Sequence, residues 1–462
     1  MKTLFSIIII IAAALLTASC IEDGYATSAD AQPKFSTDTL KMGLSFTEQP
    51  TPTSRFTVHN RNNKILSISH IALRSGAESA FRINVDGSAG ESFSDIEIRP
   101  NDSIYIFVEA TLPATGSGEA RAFTDHIDFL TNGVSSSVVV RADGCDVKRV
   151  KGYTVSSDEV WKPGMMYQVF DSLVVAPGAT LTLDPGVTLC FHAGAYMKVD
   201  GTLIAEGTAE APVEMRGDRT DNVLTDISFD LMASQWTGLA FGPESRGNRL
   251  RHANIRNTEY GIRAYEDAEV EFINCRLRNS ASYVLTGSHA KLRIIGTEVA
   301  EAASGLLALI GGEAYVSQST FANYYLFAAI RGAAIQLTHF SPDTADPESD
   351  RPFLKADFSN SIVYGLGTDL NAGDFEGTDI YFRNCVLKST GEDDDHFISI
   401  LWDTDPLYGT VREDYLFDYR LKPESAARTW ADPALIPAEA VTDPYGEKRT
   451  TVAGAYEQPL PL

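Results

Sequence analysis

The sequence predicts an all-β chain in two parts, a sandwich of short strands followed by a solenoid of stacked coils. Three observations carry this. Residues 34–145 alternate apolar and polar side chains in short runs broken by turn residues, the period-two mark of half-buried strands. From Trp161 onward, apolar pairs alternate with Pro-Gly and Gly turns. Four stretches, Leu250–Ile255, Phe272–Leu277, Ile294–Val299 and Val316–Phe321, repeat one pattern of apolar, polar and small residues every 22 residues. A fixed period in this range marks a solenoid, because no single coil can bury its apolar face alone.

The first segment addresses the chain. Met1-Lys2 is a short positive start, and Leu4 to Leu16 is an apolar run of 13 residues. That is the length of a signal peptide's apolar region and too short to cross a bilayer. The run ends Leu15-Leu16-Thr17-Ala18-Ser19-Cys20, which resembles a bacterial lipobox, with Thr17 where Leu is usual. The resemblance implies removal of residues 1–19 and lipidation of Cys20, and so an outer-membrane protein anchored through several acyl chains. Ile21-Glu22-Asp23 puts acid directly after the cysteine, which resembles a surface-export signal. The competing reading is an ordinary secretory signal with an incidental cysteine. Residues 20–33 are polar, lack periodicity and read as a tether.

In residues 34–145 the runs Phe56-Thr57-Val58, Leu66-Ser67-Ile68, Ile104–Val108 and Val138–Val140 are separated by Asn60–Asn63, Arg99–Asp102 and Thr131–Gly133. About seven short strands with turns at this interval predict a β-sandwich. Asp38-Thr39-Leu40 with Gly43, Phe56-Thr57-Val58-His59-Asn60, Leu66-Ser67-Ile68 and Arg99-Pro100-Asn101-Asp102-Ser103 resemble the immunoglobulin-like domains of the hydin and major-sperm-protein type. The resemblance implies a spacer or protein contact rather than a catalyst. Residues 146–160 read as a linker.

Val174–Val187 and Gly201–Thr208, with Gln235-Trp236-Thr237-Gly238-Leu239, resemble the opening coils of right-handed parallel β-helix proteins, the pectate-lyase-like superfamily. Asn360–Gly365 and Tyr381–Lys388 resemble its later coils, and Asp418–Ala427 with Gly454–Glu457 its closing elements. The β-helix is expected over 161–430 and a cap over 431–462. The repeat agrees with this independently. Places one and six are apolar and point inward, continuing at Phe358–Val363 and Phe382–Leu387. Asn274, Gly296, Asn360 and Asn384 share a bend position, where a left-handed backbone suits Asn or Gly. Ile262, Val284, Leu306 and Ala328 recur at 22-residue steps and suggest a second column. Residues 341–357 break the period and read as a protruding loop.

Of five cysteines, Cys275 and Cys385 share one repeat position. About five coils at ~4.8 Å each put them some 24 Å apart, beyond disulfide reach, so they are expected as small buried side chains stacked with Thr297, Ser319 and Ser361. Cys145 and Cys190 can pair, although nothing in the spacing requires it.

A net charge of −24 without a basic run argues against nucleic acid as a partner. The superfamily's lyases need a calcium-binding carboxylate cluster beside a basic residue, and its hydrolases paired aspartates with Gly-His-Gly. Neither signature is present among the eight histidines and the acidic runs, so no catalytic residue is assigned. Asp393, Asp394 and Asp395, in Glu392–His396, are candidate Ca²⁺ ligands or a solvated loop, and Asp343, Asp346, Glu348 and Asp350 present the same choice. Trp402, Tyr324 and Tyr325 are candidates for stacking on sugar rings. Trp236 reads as coil packing. The expected function is a non-catalytic, lipid-anchored surface protein binding glycan or an envelope or host protein along the β-helix. The alternatives are a polysaccharide lyase or glycoside hydrolase, and a structural envelope component.

Overall fold

The computed structural model describes residues 24–224, 227–347, 349–371 and 373–457. Cys20, the signal segment 1–19 and Glu348 lie outside them. Two compact units divide the chain, Met1–Asp146 and Val147–Leu462. No helix among the described residues is long and apolar enough to cross a membrane.

The first unit is a β-sandwich of two five-stranded sheets. One sheet holds Ser54–His59, Ser103–Ala110 and Phe81–Val85, and the other Thr39–Phe46, Val134–Cys145, Arg121–Thr131 and Leu66–Leu73. Ten strands form among the described residues where about seven were expected, because short edge strands such as Lys34–Phe35 and Ser88–Gly90 carry little apolar signal. Alternate residues of the facing strands, among them Phe56, Ile68, Ile106, Phe129 and Val140, fill the core. Gly43 adopts a left-handed φ of 76° where the ladder to Val134–Cys145 slips between Arg141 and Asp143, a bulge that suits glycine. The expected free tether is only partly free. Ala26 donates to the Ile65 carbonyl at 2.8 Å, and the Asn132 amide donates to the carbonyls of Ala26, Ser28 and Ala31. These contacts hold residues 24–33 to the sandwich, using backbone groups that carry no sequence signature.

The second unit is a parallel β-helix. Its strands form an 18-stranded sheet and a 10-stranded sheet. A regular coil has three strands, as in Glu269–Ile273, Arg276–Ser280 and Tyr283–Ser288. The expected linker is the start of the stack, since Val147–Val155 and Glu159–Trp161 pair with Met166–Val175 and Thr180–Leu183.

The repeat's first place becomes one continuous interior column. Trp161, Leu183, Ala205, Leu250, Phe272, Ile294, Val316, Phe358, Phe382 and Phe397 are consecutive register partners. Burying each of the larger ones contributes about 1.5–3 kcal/mol, and Phe358 stacks on Phe382 with centroids 4.5 Å apart. Trp236 is also core, stacked on Phe191 at 4.1 Å.

The second column needs correction. Ile262 pairs with Leu285, Leu307 and then Ile335. Val284 and Leu306 are buried beside that column, but Ala328 is exposed in the loop before Ile335. Turns between these strands vary in length, so a constant step loses the register there.

Asn274, Gly296, Asn360 and Asn384 do sit at left-handed bends, with φ between 48° and 60°. Past the bend runs a ladder of small side chains: the Cys275 amide donates to Thr297 Oγ1 at 3.2 Å, Thr297 to Ser319 Oγ at 3.2 Å and Ser319 to Ser361 Oγ at 3.1 Å. Cys275 and Cys385 are fully buried and four register steps apart rather than five. Burial raises both thiol pKa values to about 12. Cys145 and Cys190 are buried too and are not joined in a disulfide.

The C-terminal segment, expected as a cap, runs lengthwise along the bends. Asn384 Nδ2 donates to the Trp430 carbonyl at 3.4 Å and Asn274 Nδ2 to that of Thr442 at 3.1 Å. Asn360 exchanges two bonds with Asp432, at 2.9 and 2.8 Å. The bend asparagines therefore do two things, since their amides, carried outward by the left-handed backbone, also pair with a second chain segment.

Candidate functional site

The ten-stranded face carries a groove of about 910 Å³. Its floor is built by alternation. In strands Asn248–Arg251, Glu269–Ile273, Lys291–Ile295, Glu313–Ser317, Lys355–Ser359 and Asp379–Arg383 the apolar residues point inward, so the residues between them must point out. Parallel stacking in register then aligns them into two outward rows. One row reads Arg249, Glu271, Arg293, Tyr315, Asp357, Tyr381, and the other Glu269, Lys291, Glu313, Lys355, Asp379.

Charges alternate along the rows and pair across coils. Lys291 meets Glu269 at 3.2 Å, Lys355 meets Asp379 at 3.3 Å, and Arg383 pairs with Asp357. Arg293 bridges Glu271 at 3.1 Å and Glu439 of the C-terminal segment at 3.0 Å. The tyrosines join this lattice. Arg293 lies over the Tyr315 ring at 4.9 Å and Arg383 over the Tyr381 ring at 4.7 Å, contacts that restrain both rings. Residues Ala434–Pro437 flank the groove beside Tyr315 and Arg383. The result is a fixed wall of two aromatic planes among hydrogen-bonding ion pairs, two coils apart and so about 10 Å along the axis.

The residues singled out from sequence lie elsewhere. Asp393 accepts from the Ser399 and Ile400 amides at 2.8 and 3.2 Å and from Trp402 Nε1 at 3.1 Å. Asp394 accepts from the His396 and Phe397 amides at 2.7 and 2.8 Å, and Asp395 is exposed. These carboxylates tie their own loop together, and among the described residues no three His, Cys, Asp or Glu side chains converge as a metal site would. Trp402 pairs with Leu387 on the last coil and lies 5.2 Å from Phe397. Tyr325 is buried, 5.8 Å from Phe327. Tyr324 is half-buried between Tyr408 and Tyr419. In the inserted loop, the Asp346 amide donates to His339 Nδ1 at 3.3 Å, while Asp343 and Asp350 stay at the surface.

A second polar cluster lies under the C-terminal segment. Glu298 is fully buried, 2.6 Å from Arg278 Nη2 and 2.5 Å from the Tyr456 hydroxyl. Burial raises the Glu301 carboxyl from 4.5 to about 7, although the Tyr419 hydroxyl and the Tyr324 amide donate to it. A carboxyl poised near neutrality can serve acid–base chemistry, but Glu301 is only 2% exposed and Tyr419 closes over it. Its place is structural.

Tyr315, Tyr381, Arg293 and Arg383 were missed from sequence. A signal existed in the polar positions of the repeat, since Glu269, Lys291 and Glu313 also recur every 22 residues.

No family model and no curated protein matches the chain. Among solved structures, a family 123 glycoside hydrolase from Clostridium perfringens, described for glycolipid glycan hydrolysis, is similar over 27% of this chain and 26% of its own, at 12% identity and a TM-score of 0.18. The chain thus spans about a quarter of that structure's length. So slight a likeness carries no argument about fold or chemistry.

Proposed function

We propose that this chain is a lipid-anchored protein of the outer membrane that binds an extended, uncharged glycan along the ten-stranded face. The observation that carries the binding reading is the in-register wall holding Tyr315 and Tyr381. Sugar rings offer apolar faces to aromatic planes, and their hydroxyls can bond to ion pairs without separating them. Five positive and five negative side chains line the groove, which favours a neutral polymer over a charged one. A spacing of two coils between the tyrosines suits contacts at every second sugar. The parallel β-helix of the pectate-lyase-like type and the immunoglobulin-like spacer fit this role, and the Leu15–Cys20 motif supports the anchor.

The test uses the full chain extracted in detergent. A fatty-acid label should enter the wild type and not Cys20→Ala. Titration with neutral polysaccharides should show binding that Tyr381→Ala weakens about fivefold to tenfold, the worth of one aromatic contact, with an unchanged thermal melt. Equal affinity of the two forms across the panel would remove the groove reading.

A further inference from the structure

A smaller pocket, of about 250 Å³, opens on the neighbouring face among Glu214, Asp230, Arg256, Arg276 and Arg278. Register again builds it. Glu214, Asn254, Arg276 and Glu298 follow one another outward on successive coils, with Arg256 and Arg278 two positions further along the chain from Asn254 and Arg276. Most of its charges are matched. Arg256 bridges Glu214 and Asp230, the latter at 2.8 Å. Arg216 reaches Asp230 at 3.2 Å, and Arg278 is held by Glu298.

Arg276 is the cation left over. Among the described residues its guanidinium has no hydrogen-bond or ion-pair partner. It lies against two tyrosine rings, 4.7 Å from the centroid of Tyr445 and 5.7 Å from that of Tyr456. Ring contacts of this kind orient the guanidinium but satisfy none of its five N–H donors. The side chain is half-buried, so these donors are also short of water. An oriented, underused fork in a small cavity with one excess positive charge is arranged for one planar anion.

We propose that this pocket binds a carboxylate, gripped in bidentate fashion by Arg276. Two parallel N–H donors match the two oxygens of a carboxylate. One excess charge matches a monoanion, and the neighbouring Glu214, Asp230 and Glu298 disfavour a dianion. Tyr445, 42% exposed, offers a plane to whatever carries the carboxylate. The site is separate from the glycan groove, and its success or failure leaves that reading untouched.

The test is calorimetric titration of the full chain in detergent with acetate, glucuronate and N-acetylalanine, and with sulfate and glucose as controls. At least one carboxylate should bind in the millimolar range or tighter. Arg276→Gln should weaken it tenfold or more, and Arg276→Lys, which keeps the charge without the fork, by less. Preference for glucuronate assigns the carboxylate to an acidic sugar, preference for N-acetylalanine to a peptide end, and equal affinities to a free small acid. The melting temperature of Arg276→Gln shows whether the fold is kept. Should that variant fail to fold, Tyr445→Ala replaces it and should weaken glucuronate or N-acetylalanine more than acetate. Absence of binding by every carboxylate, sulfate binding as tight as the best carboxylate, or Arg276→Gln binding like the wild type would overturn the proposal.

Discussion

Two faces of the solenoid carry rows of charged side chains in register, yet they use them differently. On the ten-stranded face Arg293 and Glu271 meet at 3.1 Å with 43% and 24% of their side chains exposed. On the neighbouring face Arg278 and Glu298 are 25% and 0% exposed. Strand geometry is the same in both. The difference is the cover: Tyr456 of the C-terminal segment and Tyr419 before it lie over the second pair, while Glu439 reaches the first. Cover converts a solvent-screened lattice, individually weak, into a desolvated cluster whose members depend on one another.

The contrast is sharpest for Glu298. Its replacement by alanine should cost about 3 kcal/mol in chemical denaturation, because Arg278 and the Tyr456 hydroxyl lose their buried partner. A loss below about 1 kcal/mol would mean that water reaches this cluster and that the two faces are alike.

Glu301 should give the next largest effect, read through pH. Its folded pKa, about 7, lies above the ordinary 4.5. The folded state therefore holds this proton more tightly than the unfolded one. Stability from this group is complete below pH 4.5 and is lost as pH rises through about 7, a fall on the order of 2–3 kcal/mol. Denaturation midpoints measured across that window should decline in the wild type and flatten in Glu301→Gln. Parallel declines would assign the effect to other groups.

Arg293→Ala on the open face should shift stability by no more than about 0.5 kcal/mol, with a salt dependence that vanishes with the pair. A larger change would show that its bond to Glu439 fastens the C-terminal segment to the stack.

The parts of this molecule differ in how far they could be read in advance. The column through Phe272, Ile294 and Val316 was legible, because an inward position in a stacked coil has one environment and accepts one class of residue. The left-handed bends at Asn274, Asn360 and Asn384 were legible for a similar local reason. Ala328 was misplaced because turn length, which sets the next register, has no fixed period. Tyr315, Tyr381 and Arg276 were not legible as site residues, since an outward side chain is defined by what lies above it in the stack and by which remote segment covers it. Asp393 and Asp394 look like a cation site in one dimension, whereas in three their oxygens already accept from their own backbone.

By itself, then, the sequence determined the β class, the stacked-coil body and the interior column through Phe272, Ile294 and Val316. Burial imposes a repeating demand on every coil, and a repeating demand leaves a period. Only the tertiary structure decided which charged row stays open and which is sealed, because that depends on where Trp430–Tyr456 lies. Hydrogen bonds to Asn274, Asn360 and Asn384 set that path, and contacts between residues 46 to 168 positions apart leave no pattern in the chain.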